Sequence, residues 1–187
     1  MFAGKMKSTE MRSRKNLLPS EEHPLENECR SSSANLHCFK GGDSRTNEQP
    51  GLTAMHTLWF REHNRIVSHL GAHNPHWNDE RLFHEARKIV GAEMQHITYN
   101  EWLPLILGDK VMQVFNLQLL RRDFYFGYND SVNPSSANAF ATAAFRFGHS
   151  LIPSQLNRCN KQHKMLLTGM LVAHDVHLPS IQIDQSV

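Results

Sequence analysis

Leu52-Thr53-Ala54-Met55-His56-Thr57-Leu58-Trp59-Phe60-Arg61-Glu62-His63-Asn64-Arg65-Ile66-Val67-Ser68-His69-Leu70 is the stretch whose reading decides the fold. Met55, Leu58, Trp59, Ile66 and Leu70 fall at helical spacings. The pattern predicts a helix over 52–70 with Gly71 as its C-terminal cap. Asn74-Pro75-His76-Trp77-Asn78-Asp79 reads as a turn, and Asn78 or Asp79 is placed to cap a second helix. That helix is expected over 80–99, with Leu82, Phe83, Ala86, Ile89, Val90, Glu93, Met94 and Ile97 as its stripe and Pro104 as its outer limit. A shorter helix is expected over 108–120, then an irregular aromatic stretch over 124–134. Residues 1–51 are polar and read as loop with short turns. No period-2 pattern of any length appears, so the fold class is mainly α.

A chain of 187 residues suits one domain or a domain with a tail, and can bury a substantial core. The net charge of +2 and the lack of a dense Lys/Arg block argue against a nucleic-acid partner. No apolar run approaches the roughly 20 residues that span a bilayer. Met1-Phe2-Ala3-Gly4-Lys5-Met6-Lys7 has no apolar core, so no signal peptide is read there.

A further helix-like run, 138–151, contains Phe145-Arg146-Phe147-Gly148-His149 near its end. Arg146 and His149 are three apart and lie on one face. Phe140, Ala144, Phe147 and Leu151 form a separate apolar stripe. His149 is either a metal ligand beside a lone cation or a core or capping histidine bonded to a carbonyl. Gly148 leaves room for a bulky group to approach the backbone.

The other constellations are weaker. His69/His73 and His174/His177 have ligand-like spacings, but no Cys-x-x-Cys or His-Glu-x-x-His accompanies them, and zinc wants four ligands or three plus water. Glu62/Arg65 and Glu85/Lys88 read as solvated helix faces. Cys29, Cys38 and Cys159 are compatible with a short Cys29–Cys38 bridge or with three free thiols. Asn129-Asp130-Ser131 matches the N-glycosylation pattern. Asp43-Ser44-Arg45-Thr46-Asn47-Glu48-Gln49 places an arginine between two acids, just ahead of the first helix.

These last residues, with Met55-His56-Thr57-Leu58-Trp59-Phe60-Arg61-Glu62-His63-Asn64-Arg65, closely resemble the animal haem peroxidase family. The likeness continues through Asn74-Pro75-His76-Trp77, Glu85-Ala86-Arg87-Lys88-Ile89-Val90-Gly91-Ala92, Gln95-His96-Ile97-Thr98-Tyr99 and Ala141-Thr142-Ala143-Ala144-Phe145-Arg146-Phe147-Gly148-His149-Ser150-Leu151-Ile152-Pro153. Its flavour is that of peroxinectin- and peroxidasin-like members. It divides the chain into a polar, weakly peroxidase-like segment 1–24, a partial haem peroxidase domain 25–165 and a divergent tail 166–187.

The resemblance implies a helical haem-binding fold and hydrogen-peroxide-dependent oxidation of an electron donor. His149 corresponds to the axial ligand of haem iron and Arg45 to the distal-side catalytic arginine. Glu48 corresponds to the glutamate ester-linked to a haem methyl, and Arg146 to a neighbour of a haem propionate. Gln49 stands where one branch has a haem-linked methionine. Cys29 and Cys38 correspond to a short disulfide, which implies an extracellular lineage. The implied cofactor is haem b; the family also holds calcium, but its loop has no counterpart here. No counterpart of the distal histidine is found either, because His23 and His37 lie in the wrong context. The asparagine behind the axial ligand is likewise not found after Lys164. The expectation is a peroxidase needing a further segment or partner chain, or else a non-catalytic remnant or extracellular interaction module. Uncovered apolar faces, weak haem binding and little turnover by this chain alone follow from that reading.

Overall fold

The computed structural model describes residues 4–8, 16–21, 38–153 and 155–171. The chain divides into two compact units at Thr98/Tyr99. In the first, the long helix α1 spans Pro50–His73 and α2 spans Asp79–Ile97. Helix α1 begins two residues earlier than its apolar pattern suggests. Pro50 occupies the first turn, where its missing N–H is harmless, and Gln49 caps the helix by accepting from Gly51 N at 2.8 Å.

Gly71 is not the cap. It lies inside α1, which runs on to His73. A glycine is tolerated within a helix at about 1 kcal/mol; the effective stop is Pro75, which drives the preceding residue out of the α region. Asn74 accordingly sits at φ −131°, ψ 68°, and its side chain donates to Leu70 O. At the next start Asn78, rather than Asp79, is the cap, accepting from Arg81 N at 2.9 Å. Asp79 and Glu80 then place negative charge at the positive end of the helix dipole.

Ile66 and Val67 of α1 pack against Leu82 and Ala86 of α2, with Leu70, Trp77 and Val90 at the margin. The apolar stripe expected in the first half of α1 is on the wrong face. Met55 and Leu58 are exposed, whereas Thr53, Thr57, Phe60 and His63 are buried. Hydrophobicity misses this face because its threonines are satisfied locally. Thr57 Oγ1 donates to Thr53 O, and Thr53 Oγ1 donates to Thr46 O. In α2 only Leu82 and Ala86 of the expected stripe are fully buried; Ile89, Met94 and Ile97 stay open.

A π-turn at Thr98–Trp102 follows α2, and the second unit continues with α3 (Leu103–Leu107) and α4 (Asp109–Val114). The helix expected over 108–120 stops at Val114; Asn116 enters the left-handed region at φ 52°, and Leu117 N bonds back to Met112 O. The continuous helix expected over 138–151 is broken. Helix α5 spans Asn138–Thr142, and a 3-10 helix spans Ala144–Leu151, with Ala143 non-helical between them. Side chains take up carbonyls at the break: Thr142 Oγ1 donates to Asn138 O and Arg146 Nε to Ala141 O.

Strands are present, against expectation. β1 (Gln155–Cys159) and β2 (Met165–Leu171) form an antiparallel hairpin. Register irregularities between Leu156 and Arg158 and between Arg158 and Cys159 spoil the two-residue period. Its turn is built by Asn160, whose Oδ1 accepts from Gln162 N and Lys164 N, with His163 at φ 58°. No Asn-Gly or Asp-Gly pair marks it in sequence.

Candidate functional site

Arg45 lies on a 3-10 turn, Ser44–Asn47, immediately before α1. Asp43 caps this turn by accepting from Arg45 N at 2.8 Å, and the same carboxylate holds the guanidinium. Arg45 Nε meets Asp43 Oδ1 at 2.9 Å and Nη2 meets Oδ2 at 2.8 Å, a two-pronged pair. Hydrogen bonding from Arg45 holds the Asp43 carboxyl well below the usual carboxylate range, and Asp43 raises the guanidinium in return. The pair is exposed, so it orients the side chains more than it stabilises the fold. Among the described residues Nη1 has no hydrogen-bond partner. Glu48 is exposed one residue past the turn, its N–H bonded to Arg45 O at 3.0 Å.

Two residues that sequence reading left aside hold this loop. Thr46 is 1% exposed; its hydroxyl donates to Asp43 O at 2.6 Å, and its carbonyl receives Thr53. Asn47 is buried and clamps Phe39 from both sides, accepting from Phe39 N at 2.9 Å and donating to Phe39 O at 2.7 Å. Gly41 packs so closely on Thr46 that a Cβ there would overlap the threonine hydroxyl. Cys38, next to Phe39, is buried and disulfide-bonded; Cys29 lies outside the described residues, and Cys159 is an exposed free thiol. The signal available in sequence was small polar residues in a turn ahead of a helix. The arginine loop is thus moored at both ends, to α1 through Thr46–Thr53 and to the 38–39 backbone through Asn47.

His149 and Arg146 belong to the second unit, on the 3-10 helix. At three residues per turn, side chains three apart stack directly, so the two share a face more strictly than on an α-helix. Arg146 Nε folds back onto Ala141 O at 3.1 Å. His149 is exposed, and among the described residues its ring has no hydrogen-bond partner. This removes the core-histidine and cap-histidine readings: the imidazole is open. A Cβ built on Gly148 would meet no atom within 4 Å. The expected apolar stripe is not a buried one, since Phe140, Phe147 and Leu151 are exposed. Ring contacts organise part of it, with Trp102 stacked on Phe147 at 6.5 Å and Phe140 against Phe145 at 5.7 Å.

Among the described residues no three His, Cys, Asp or Glu side chains gather as a metal cluster. A haem needs only one axial protein donor, and the open imidazole of His149 beside an unobstructed Gly148 fits that requirement. Glu62–Arg65 and Glu85–Lys88 form pairs within their own helices, as solvated faces do. His73 Nδ1 lies 2.8 Å from His69 O, a contact within α1 rather than a ligand pair. No helix among the described residues is long and apolar enough to cross a membrane.

The described elements are mainly helical; a loop-borne arginine precedes α1 in the first unit, and an exposed imidazole lies on the 3-10 helix of the second. The model of the animal haem peroxidase family matches residues 1–185, and the chain belongs to that family. It is 52% identical over 139 residues to peroxidasin of Drosophila melanogaster, covering 74% of this chain and 9% of that protein. It is 51% identical over 132 residues to mouse myeloperoxidase, covering 71% of this chain and 17% of that protein. Peroxidase A from Dictyostelium discoideum has a similar structure, with TM-score 0.66 and 32% identity, covering 88% of this chain and 30% of that one. The chain therefore spans a small part of the length of these relatives.

Proposed function

We propose that this chain carries the proximal ligand and the catalytic arginine of a haem peroxidase that oxidises an electron donor with hydrogen peroxide. The observation that carries the reading is the open His149 ring, at the position that the family resemblance assigns to the axial ligand of haem b. Bound haem supplies the redox chemistry, and the protein supplies ligation, orientation and field. Arg146, on the His149 face, is assigned to a haem propionate. Glu48 is assigned to an ester link with a haem methyl, and its exposed carboxylate is accessible for one.

Arg45 is assigned to stabilising negative charge on peroxide oxygen as the O–O bond breaks. Its Asp43 partner holds the guanidinium in one orientation while its Nη1 end stays available. Gln49 makes no further cofactor link in this reading; its side chain caps α1. Cys29 and Cys38 are assigned to a disulfide in an extracellular setting, and hydrogen peroxide and a donor are the substrates. Calcium is assigned no residues here, and neither is a distal base.

The test is an absorption titration of the chain with haem, wild type against His149→Ala. The expected result is weak uptake with a Soret band that the substitution abolishes, and little donor oxidation. An identical band in both proteins, or no haem uptake by the wild type, refutes His149 as the anchor. Robust peroxide-dependent oxidation that survives His149→Ala refutes the whole assignment.

A further inference from the structure

The 3-10 helix that carries Arg146 and His149 is eight residues long. Runs beyond three or four residues are uncommon in this geometry, because its hydrogen bonds are poorly aligned. Gly148 lies inside the run and adds no packing, since even a Cβ there would meet no atom within 4 Å. Among the described elements the helix packs on α5, the short helix just before it. Such a run needs outside support to stay wound. The winding matters for His149, because successive side chains stand about 120° apart around a 3-10 helix and about 100° apart around an α-helix. Over the three residues from Arg146 to His149 the difference amounts to about 60°, enough to take the imidazole off the Arg146 face.

The support comes from earlier in the chain. Trp102 stacks on Phe147, with ring centroids 6.5 Å apart and planes 29° from parallel. Trp102 closes the π-turn at Thr98–Trp102, whose wider turn rotates the side chains that follow α2. Both rings belong to the second unit. Arg146, next to Phe147, is tied by its Nε to Ala141 O at 3.1 Å. Two consecutive side chains, about 120° apart around the axis, are thus held by different partners. The helix can neither turn about its axis nor relax towards α-geometry without losing one of them.

We propose that Trp102 is a positioning residue for His149. By gripping Phe147 it keeps the 3-10 helix wound, and with it the imidazole on the Arg146 face. The role rests on the reading of His149 as the haem anchor. The two rings are 40% and 43% exposed, so the contact acts as a single aromatic pair on a local equilibrium. A pair of this kind is worth about twofold to tenfold.

Two variants of the full chain separate stacking from bulk. Trp102→Phe keeps an aromatic face, and Trp102→Leu keeps apolar volume alone. In the haem-free chain, amide exchange over Phe147–His149 is expected to be about twofold to tenfold faster in Trp102→Leu and near wild type in Trp102→Phe. Exchange at Val67 and Ala86, in the first unit, should be unchanged in both. With haem, a Soret titration is expected to show the dissociation constant raised by a similar factor in Trp102→Leu and restored in Trp102→Phe. In His149→Ala supplied with free imidazole, the axial nitrogen is not tethered to the helix, so Trp102→Leu should there have no further effect. Equal exchange in wild type and Trp102→Leu, failure of Trp102→Phe to restore it, or an equal loss of haem affinity in the imidazole-supplied background overturns the proposal. Loss of protection at Val67 as well overturns it, because a contact that only positions one turn does not carry the fold. A Soret band indifferent to His149, or no haem uptake by the wild type, instead refutes the haem reading, and the exchange comparison still decides whether Trp102 holds the turn.

Discussion

Replacing Asn47 with alanine removes both ends of the clamp that moors the arginine loop to Phe39. The structure gives this side chain two hydrogen bonds, 2.9 Å from Phe39 N and 2.7 Å to Phe39 O. Leaving a buried backbone donor or acceptor without a partner costs about 1–3 kcal/mol each. Asn47 is buried but Phe39 only partly so, and water reaches some of what is exposed. A total of about 2–4 kcal/mol follows. The measurement is urea denaturation, paired with amide exchange at Phe39, which should accelerate by about thirtyfold to several hundredfold, since each 1.4 kcal/mol of local opening is a factor of ten. Asn47→Asp separates the two bonds. It keeps an acceptor for Phe39 N but sets a carboxylate against Phe39 O, which raises the carboxyl pKa in the folded chain. Its destabilisation therefore shrinks as pH falls through that raised value, because the protonated acid donates again. A change below about 0.5 kcal/mol in Asn47→Ala, with Phe39 exchange unaltered, refutes the clamp as what holds Arg45 and Glu48 in place.

Leu82→Ala should cost about 2–4 kcal/mol in the same denaturation experiment, since Leu82 is 6% exposed between Ile66, Val67 and Ala86; Met94→Ala, on the open part of α2, should change little. Gly41→Ala should destabilise by about 1–3 kcal/mol, because its Cβ overlaps a threonine hydroxyl that is itself fixed to Asp43 O; a neutral outcome shows that the loop gives way freely. The Asp43 carboxyl should titrate below the ordinary aspartate value of about 3.9 when followed by carbon-13 NMR. Because the folded value is depressed, the stabilising pair is complete above the unfolded value and is lost only as pH falls through the folded one. Arg45→Ala should raise the titration towards the ordinary range while the bond from the backbone N–H at position 45 still holds it below, and a wild-type midpoint already at the ordinary value contradicts the pairing.

Helices α1 and α2 were legible because their caps and stops are local chemistry. Asn78 bonds within its own first turn, and Pro75 constrains its own neighbour, whatever the rest of the chain does. The inner face of α1 was not legible from hydrophobicity. Thr53, Thr57 and His63 are polar by type and become burial-competent only once the fold supplies partners, which for His63 are Phe83 O and Asn64 Oδ1, each 3.3 Å away. The break at Ala143 and the hairpin after Pro153 escaped for a related reason. Each depends on where one side chain finds a backbone acceptor or donor, Arg146 on Ala141 O and Asn160 on the turn amides, and residue spacing does not encode that choice.

The same division runs through the candidate site. Ordered blocks of residue types, from Asp43 through Pro153, determine the lineage by themselves, and the roles proposed for Arg45, Glu48, Arg146 and His149 follow from their places in those blocks. Only the tertiary structure decided their condition. It ties Arg45 to Asp43, moors the loop through Thr46 and Asn47, and leaves the His149 ring open. A side chain's type travels with the sequence, whereas its partners and its exposure exist only once distant backbone has been brought beside it.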